Sequence, residues 1–354
     1  MIGQAQNSQA PVTDNEEETV CMTTALPSAA ILKQTYVVSS QLHDRIAEQR
    51  RAIRNVITGK DPRVLVVMGP CSLHCDIAAL EYAEHLRALQ ARYADKLLLV
   101  MRTYLEKPRT TVGWKGMLYD PDMDGSNDLA RGLDRSRNLL VKITEMGLPI
   151  ATEVLNPLAF QYFDDLISWV AIGARTTESQ THREIASALP CVVGFKNGTD
   201  GGLDVAINAL RSAANPHVFF GADVNGQVSV VRSRGNTAGQ VVLRGGKHGT
   251  NYDALHVAKA KKALNAAGLV ESVMVDCSHE NSGKDHTKQA NVVESVAKQL
   301  ASGCKVIRGL MLESHLKSGR QNISDDLDYG RSVTDACIDW AESEALIAAI
   351  ARAI

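Results

Sequence analysis

No uninterrupted apolar segment of this chain approaches the roughly 20 residues that a helix needs to cross a bilayer, so no transmembrane helix is expected. A secretory signal is missing as well: residues 1–10 contain neither a basic stretch nor an apolar one behind it. Charge of one sign is not in excess. Lys and Arg number 38 against 40 Asp and Glu, a net charge of −2. With a pI near 6.6, that balance argues against a nucleic-acid or polybasic membrane partner. The 7 cysteines are odd in number and scattered without framework spacing, which argues against a disulfide scaffold. Reduced thiols and a cytoplasmic location are the expectation.

What is present is a large core and a repeating pattern. The 354 residues are 45% hydrophobic and 22% charged, as in a globular protein long enough for a barrel with additions. Residues 1–40 are polar and acidic, with Asp14 and Glu16-Glu17-Glu18, and read as an N-terminal arm. Its first ~20 residues are expected to be disordered and the stretch from Thr23 ordered. A helix is predicted over 40–58, with Gly59 as its stop. Short apolar runs then begin at Val64, Leu97, Pro149, Trp169, Cys191, Val241, Val273 and Val306. Helices are predicted between and after them, over 77–93, 131–146, 157–167, 181–189, 203–214, 255–267, 289–302 and 334–354. Eight such repeats with right-handed crossovers indicate an α/β fold, a (β/α)8 TIM barrel over residues 41–354. One segment breaks the alternation. Asn225-Gly226 between two apolar runs predicts an inserted β-hairpin over about 216–232, the kind of insertion that serves regulation or an interface.

Almost every run ends on a charged or metal-binding residue, and in a parallel barrel those ends share one face. Cys71, His279 and Glu313 follow the first, seventh and eighth runs, which closure makes neighbours, and Asp335 lies just beyond. A thiolate, an imidazole and two carboxylates suit a divalent metal ion (Mn²⁺, Fe²⁺, Co²⁺ or Zn²⁺) with an open position for catalysis. Singly, each has a plainer reading: Cys71 as a small buried residue, His279 as a core hydrogen bonder, Asp335 as the N-cap of the last helix. Their joint placement favours the metal. The cations are Arg102, Lys107, Arg109, Arg175, Lys196 and Arg244. Solvated rim charge is the usual fate of such side chains. Here Gly, Pro and small polar neighbours allow close backbone approach to a ligand, and so many cations on one face repel each other unless a multiply charged anion binds.

Five stretches carry a resemblance: Gly69-Pro70-Cys71-Ser72-Leu73-His74, then residues 101–116, 172–180, 194–201 and 243–247. With these in order, the chain resembles the type I, metal-dependent, amino-acid-regulated 3-deoxy-D-arabino-heptulosonate 7-phosphate (DAHP) synthases from about residue 23 to its end. The resemblance implies condensation of phosphoenolpyruvate with erythrose 4-phosphate and release of phosphate, the first step of the shikimate route to aromatic amino acids. It implies that Arg102, Arg175 beside Ala174, Lys196 and Arg244 bind phosphoenolpyruvate, and that Lys107, Pro108, Arg109 and Thr110 hold the sugar phosphate. Cys71, His279, Glu313 and Asp335 would bind the metal. Glu153 would organise the water that attacks C2, with Lys107 and His279 completing the catalytic set. The sister reaction with arabinose 5-phosphate is the alternative, and a non-catalytic barrel that senses phosphorylated metabolites is another. Lys107-Pro108-Arg109-Thr110, the arm and the hairpin favour the DAHP enzyme, assembled as a homodimer or homotetramer.

The resemblance also implies an effector pocket for an aromatic amino acid, with Asn156, Pro157, Phe160, Leu189, Pro190, Phe219 and Gly221 as its candidates. Tyrosine is the leading effector and tryptophan the second. Asn156 stands where the family usually has Asp, Phe160 where it has Pro, and Pro190 where it has Ser. Asn hydrogen-bonds an effector's ammonium but cannot pair with it as an ion, so weak or altered feedback is expected.

Overall fold

Strands buried on both faces read as continuous apolar runs, and β1 (Val64–Gly69), preceded by α1 (Ala29–Thr35) and α2 (Ser40–Ile57), is buried along its whole length. After it come α3 (Asp76–Arg92), β2 (Leu97–Arg102), α4 (Leu129–Glu145), β3 (Ile150–Glu153), α5 (Pro157–Phe160), β4 (Trp169–Ile172), α6 (Gln180–Ala188), β5 (Val192–Lys196) and α7 (Asp204–Ala213). The chain continues through β6 (Val218–Ala222), β7 (Val228–Arg232), β8 (Gly239–Leu243), α8 (Ala254–Ala266), β9 (Val273–Asp276), α9 (Gln289–Ala301), β10 (Ile307–Glu313) and α10 (Trp340–Ala353). This is a computed structural model that describes residues 23–109 and 112–354; the expectation of disorder for the start of the arm, and Thr110, lie outside the described residues.

Parallel strands close into a barrel in the order β1-β10-β9-β8-β5-β4-β3-β2, with β2 returning to β1. The barrel is filled, not hollow. Leu65, Val67, Val100, Trp169, Val242, Met274 and Met311 pack inside it, while Val64, Val66 and Met68 face the helices. A Cβ on Gly194 would strike the Trp169 ring, so the indole fits only opposite glycine. Ile53, Val56 and Ile57 of α2 join the interior cluster. On the same helix Gln49 donates to Gly147 O and Arg50 to Ile167 O, both just ahead of strand starts. The N-terminal end is thereby plugged, leaving the C-terminal ends for chemistry. No helix among the described residues is long and apolar enough to cross a membrane.

Two predicted helices differ. The one expected over 157–167 ends at Phe160 and continues as turns, because Arg137 takes the carbonyl of Tyr162, and Arg50 those of Asp164 and Ile167. The last begins at Trp340, capped by Asp339, whose side chain accepts from Glu342 N at 2.9 Å. Asp335 is therefore not a cap.

The hairpin of β6 and β7 is antiparallel, with Phe220 opposite Val230. Its outward face leaves Val218, Phe220, Val228 and Val230 exposed, Phe220 at 88%. In the arm, α1 is capped by Ser28 and buries Ala29 and Leu32. Ala30 N donates to Val224 O at the hairpin turn, 2.8 Å away. Arg137, fully buried, bonds both oxygens of Asp165 and the carbonyl of Tyr36, tying the arm to the barrel.

Candidate active site

Strand pairing sets Gly69 of β1 beside Glu313 of β10, and Met311 of β10 beside Asp276 of β9. The segments bearing Cys71, Glu313 and His279 thus leave adjacent strands. Donor atoms of Cys71, Glu313 and Asp335 all lie within 4.8 Å of one another. Bonds of ~2.0–2.3 Å to a single first-row ion require separations of that order, so the residues present fit a divalent metal. His279 stands outside this trio but lines the same small cavity as Glu313 and Asp335. Its Nδ1 lies 2.8 Å from both Asp276 Oδ2 and Ser278 Oγ, which leaves Nε2 as the available ligand. His279 also holds φ at 54°, a strained conformation for a non-glycine residue and of the kind that functional sites retain. Burial, and then Glu313, push the Cys71 thiol up to about 11 against the pull of Lys107. A metal taking that sulfur releases its proton.

Around this cluster opens a cavity of about 370 Å³. Lys107, Pro108, Arg109, Glu153, Ala174, Arg175, Lys196 and Arg244 all line it, as do His279 and Asp335. Lys107 Nζ lies 3.0 Å from Cys71 Sγ and 3.2 Å from its carbonyl, so this lysine joins the metal cluster to the segment assigned to the sugar phosphate. Burial opposes its charge, but Cys71, Glu313 and Asp335 together hold the ammonium above the usual lysine range. Glu153 is nearly buried at the end of β3, and a Cβ on Gly173 would run into its Oε1. Arg244 Nη2 is 3.6 Å from Glu280 Oε1. Arg175 is exposed on the wall and has no ion pair among the described residues.

Arg102 is placed differently. It is fully buried, donates to Glu313 Oε1 at 3.0 Å, lies over the Tyr104 ring at 3.9 Å, and does not line the open cavity.

Sequence reasoning missed Asp276, Lys247 and Lys284. Asp276 is fully buried, with Oδ2 3.1 Å from Lys196 Nζ and 2.8 Å from His279 Nδ1. Burial pushes its carboxyl up, yet His279 and Lys196 outweigh that and hold it well below the usual range. Its signal was an acid closing an otherwise apolar strand. Lys247 and Lys284 line the cavity from loops; Lys247 closes the 243–247 stretch, whereas nothing in the spacing of Lys284 marks it.

A second cavity of about 410 Å³ lies between the arm, α4, α5 and the hairpin turn. Of the effector candidates, Asn156 lines it; Pro157, Phe160, Leu189, Pro190, Phe219 and Gly221 do not.

Residues 35–348 match the sequence model of the DAHP synthetase I family. The chain belongs to that family. The Tyr-sensitive phospho-2-dehydro-3-deoxyheptonate aldolase of Escherichia coli (strain K12) is 53% identical over 319 residues, covering 89% of each chain. The Phe-sensitive one of the same organism is 49% identical over 331 residues, covering 93% of this chain and 94% of the other. Among solved structures, phospho-2-dehydro-3-deoxyheptonate aldolase from Francisella tularensis SCHU S4 superimposes with a TM-score of 0.93 at 43% identity, covering 95% of this chain and 98% of that one. The two folds thus coincide over nearly the whole chain.

Proposed function

We propose that this chain condenses phosphoenolpyruvate with D-erythrose 4-phosphate and water to give DAHP and phosphate, opening the shikimate route in the cytoplasm. One observation carries the reading: cations from β5, from just after β8 and from the loops after β2 and β4 line one cavity with His279 and with Asp335, which belongs to the Cys71, Glu313 and Asp335 cluster. Two phosphorylated substrates, one also a carboxylate, supply the negative charge that such a wall needs.

The residues divide the work. Arg102, Arg175, Lys196 and Arg244 hold phosphoenolpyruvate, and Arg102 also donates to Glu313 Oε1. Lys107, Pro108 and Arg109, with Thr110, hold the sugar phosphate, and the Lys107 ammonium faces the aldehyde oxygen that gains charge as C–C bonding proceeds. Glu153 orients the water that captures the cationic C2. The resulting hemiketal loses phosphate, and the arginines compensate the leaving anion. Cys71, His279, Glu313 and Asp335 would hold a divalent ion, which would supply Lewis-acid polarisation of a carbonyl oxygen; this donor set suits Mn²⁺, Fe²⁺, Co²⁺ or Zn²⁺.

An aromatic amino acid, tyrosine first, inhibits from outside the mouth. The name of the Tyr-sensitive relative and its 53% identity support that choice. Self-association, as a homodimer or homotetramer, is supported by the bare apolar face of the hairpin, since a two-stranded ribbon needs cover to be stable.

The test is phosphate release from phosphoenolpyruvate in the presence of Mn²⁺ with each aldose phosphate. Release with erythrose 4-phosphate and not with arabinose 5-phosphate is expected. Release with neither ends the enzyme reading.

A further inference from the structure

Glu106 belongs to neither substrate, yet it is buried at 8% exposure immediately before Lys107. No cation among the described residues lies within ion-pairing distance of it. Its oxygens are divided between two polar partners: Tyr119 Oη donates to Oε1 at 3.2 Å, and the Asn156 backbone N–H donates to Oε2 at 3.4 Å. Burial pushes its carboxyl up to about 7, and the charge of Glu153 adds to that rise. A buried acid so weakly compensated is sensitive to the loss of either donor.

The two donors reach outward. Asn156 and Tyr119 both line the second cavity, whereas Leu155 and Lys107, next to Asn156 and Glu106 in the chain, line the active-site cavity. The direction of the hydrogen bonds is fixed from the Asn156 end. Its side-chain oxygen caps α5, accepting from Leu158 N at 2.9 Å. Its Nδ2 must then be the atom facing Tyr119 Oη, 3.2 Å away, and a side-chain amide nitrogen only donates. Tyr119 accepts that proton and sends its own to Glu106. Reversing any member breaks the order of the chain.

The segment that receives this chain is stiff. Leu118 N donates to Leu105 O at 3.2 Å and Lys107 N to Lys115 O at 2.9 Å, lacing residues 105–107 onto 115–118. Gly116 lies so close that a Cβ there would strike Leu105 O. A shift of Glu106 therefore moves Lys107 with it.

We propose that Asn156, Tyr119 and Glu106 form a directed hydrogen-bond relay that couples occupancy of the cavity beneath the arm to the placement of the Lys107–Arg109 segment, with Glu106 as the positioning residue. The proposal rests on the reading of Lys107 and Arg109 as the sugar-phosphate grip. It fits a ligand with an apolar body and a polar group that competes for Tyr119 Oη or the Asn156 amide, because the wall has Leu118, Leu129 and Leu133 beside those two groups and no charged side chain.

Three near-isosteric variants of the full chain test it: Glu106→Gln, Tyr119→Phe and Asn156→Asp, assayed with Mn²⁺ and titrated with L-tyrosine. Each is expected to raise KM for erythrose 4-phosphate about five-fold, with kcat within about two-fold and KM for phosphoenolpyruvate unchanged, since none touches the reacting atoms. Glu106→Gln with Tyr119→Phe should be no worse than either alone, because one relay is cut twice. The concentration of L-tyrosine for half-inhibition should rise in parallel. An unchanged erythrose 4-phosphate KM in Tyr119→Phe and Asn156→Asp, or effects that multiply in the double variant, overturns the relay. If the parent chain is not inhibited by L-tyrosine at all, the effector assignment fails separately, and the double-variant KM still decides the relay.

Discussion

Two cavities of this chain, the barrel mouth and the one beneath the arm, are close in size and opposite in chemistry. The mouth of the barrel encloses about 370 Å³ and is walled by cations from Lys107 to Lys284 around a thiol–carboxylate cluster. The cavity beneath the arm encloses about 410 Å³ and has leucines, a tyrosine and side-chain amides, with no charged group on its wall. The first is held by ends of strands whose register is set by the ladder, so charges that repel one another are kept convergent. The second is bounded by α4 and Leu118-Tyr119 on one side, and on the other by a four-residue helix, a hairpin turn and residues ahead of α1, which lie outside the strand ladder. Chemistry that must not move is placed on the rigid frame, and the part that can respond to a ligand is built from additions to it.

The sharpest way to break that comparison is to remove a metal ligand. Outer partners of metal ligands alone cost about 10–100-fold in affinity or activity, so Cys71→Ala should lower activity by at least about 100-fold and abolish stoichiometric Mn²⁺ retention after gel filtration. A variant that kept its metal would disqualify the cluster. Arg175→Ala should come next. A hydrogen bond to a charged group is worth about 1.5–3 kcal/mol, so the KM for phosphoenolpyruvate should rise roughly 10–100-fold while inhibition by L-tyrosine is unaltered. A shift in inhibition as large as the shift in KM would show that the two cavities are not separate functions.

How much of this was legible follows the same division. Strands covered on both faces produce uninterrupted apolar runs, so each barrel strand could be read from the sequence, and the charged residue at its end for most of them, Asp276 of β9 excepted. Glu313 and Lys196 are where that reading puts them because the ladder fixes them there, and Cys71 follows two residues after Gly69, which pairs with Glu313. Asp335 was open to reading as a helix cap because the hydrogen bond from Glu342 N to Asp339 leaves no mark in composition. In the stretch expected as a helix over 157–167, Phe160, Phe163, Leu166 and Ile167 are buried, but its carbonyls are claimed by Arg50, 114 or more residues earlier, and by Arg137 of α4, which periodicity cannot report. The second cavity was illegible for the same reason: Leu26, Tyr119, Leu133, Gln161 and Asn225 come from segments with no local pattern in common.

The smallest effect on catalysis should come from the hairpin, and it sharpens the comparison from the side of the additions. Val218, Phe220, Val228 and Val230 form one exposed face of an antiparallel ribbon. In a lone chain an Asp at position 220 replaces an exposed ring by a solvated charge, and such surface changes stay within about ±0.5 kcal/mol of stability. If the face is covered by a second copy, the same Asp is buried without a partner, which costs several kcal/mol in the interface. Phe220→Asp should therefore leave the melting behaviour of the isolated barrel and its kcat within about two-fold of the parent, while sedimentation velocity shows a smaller assembly. Because Ala30 N bonds Val224 O at the turn of this ribbon, displacing the ribbon also loosens the wall of the second cavity. Inhibition by L-tyrosine should then weaken with the loss of assembly, in a variant whose mouth is untouched. An unchanged sedimentation coefficient would leave the apolar face uncovered and remove the hairpin from the account of self-association.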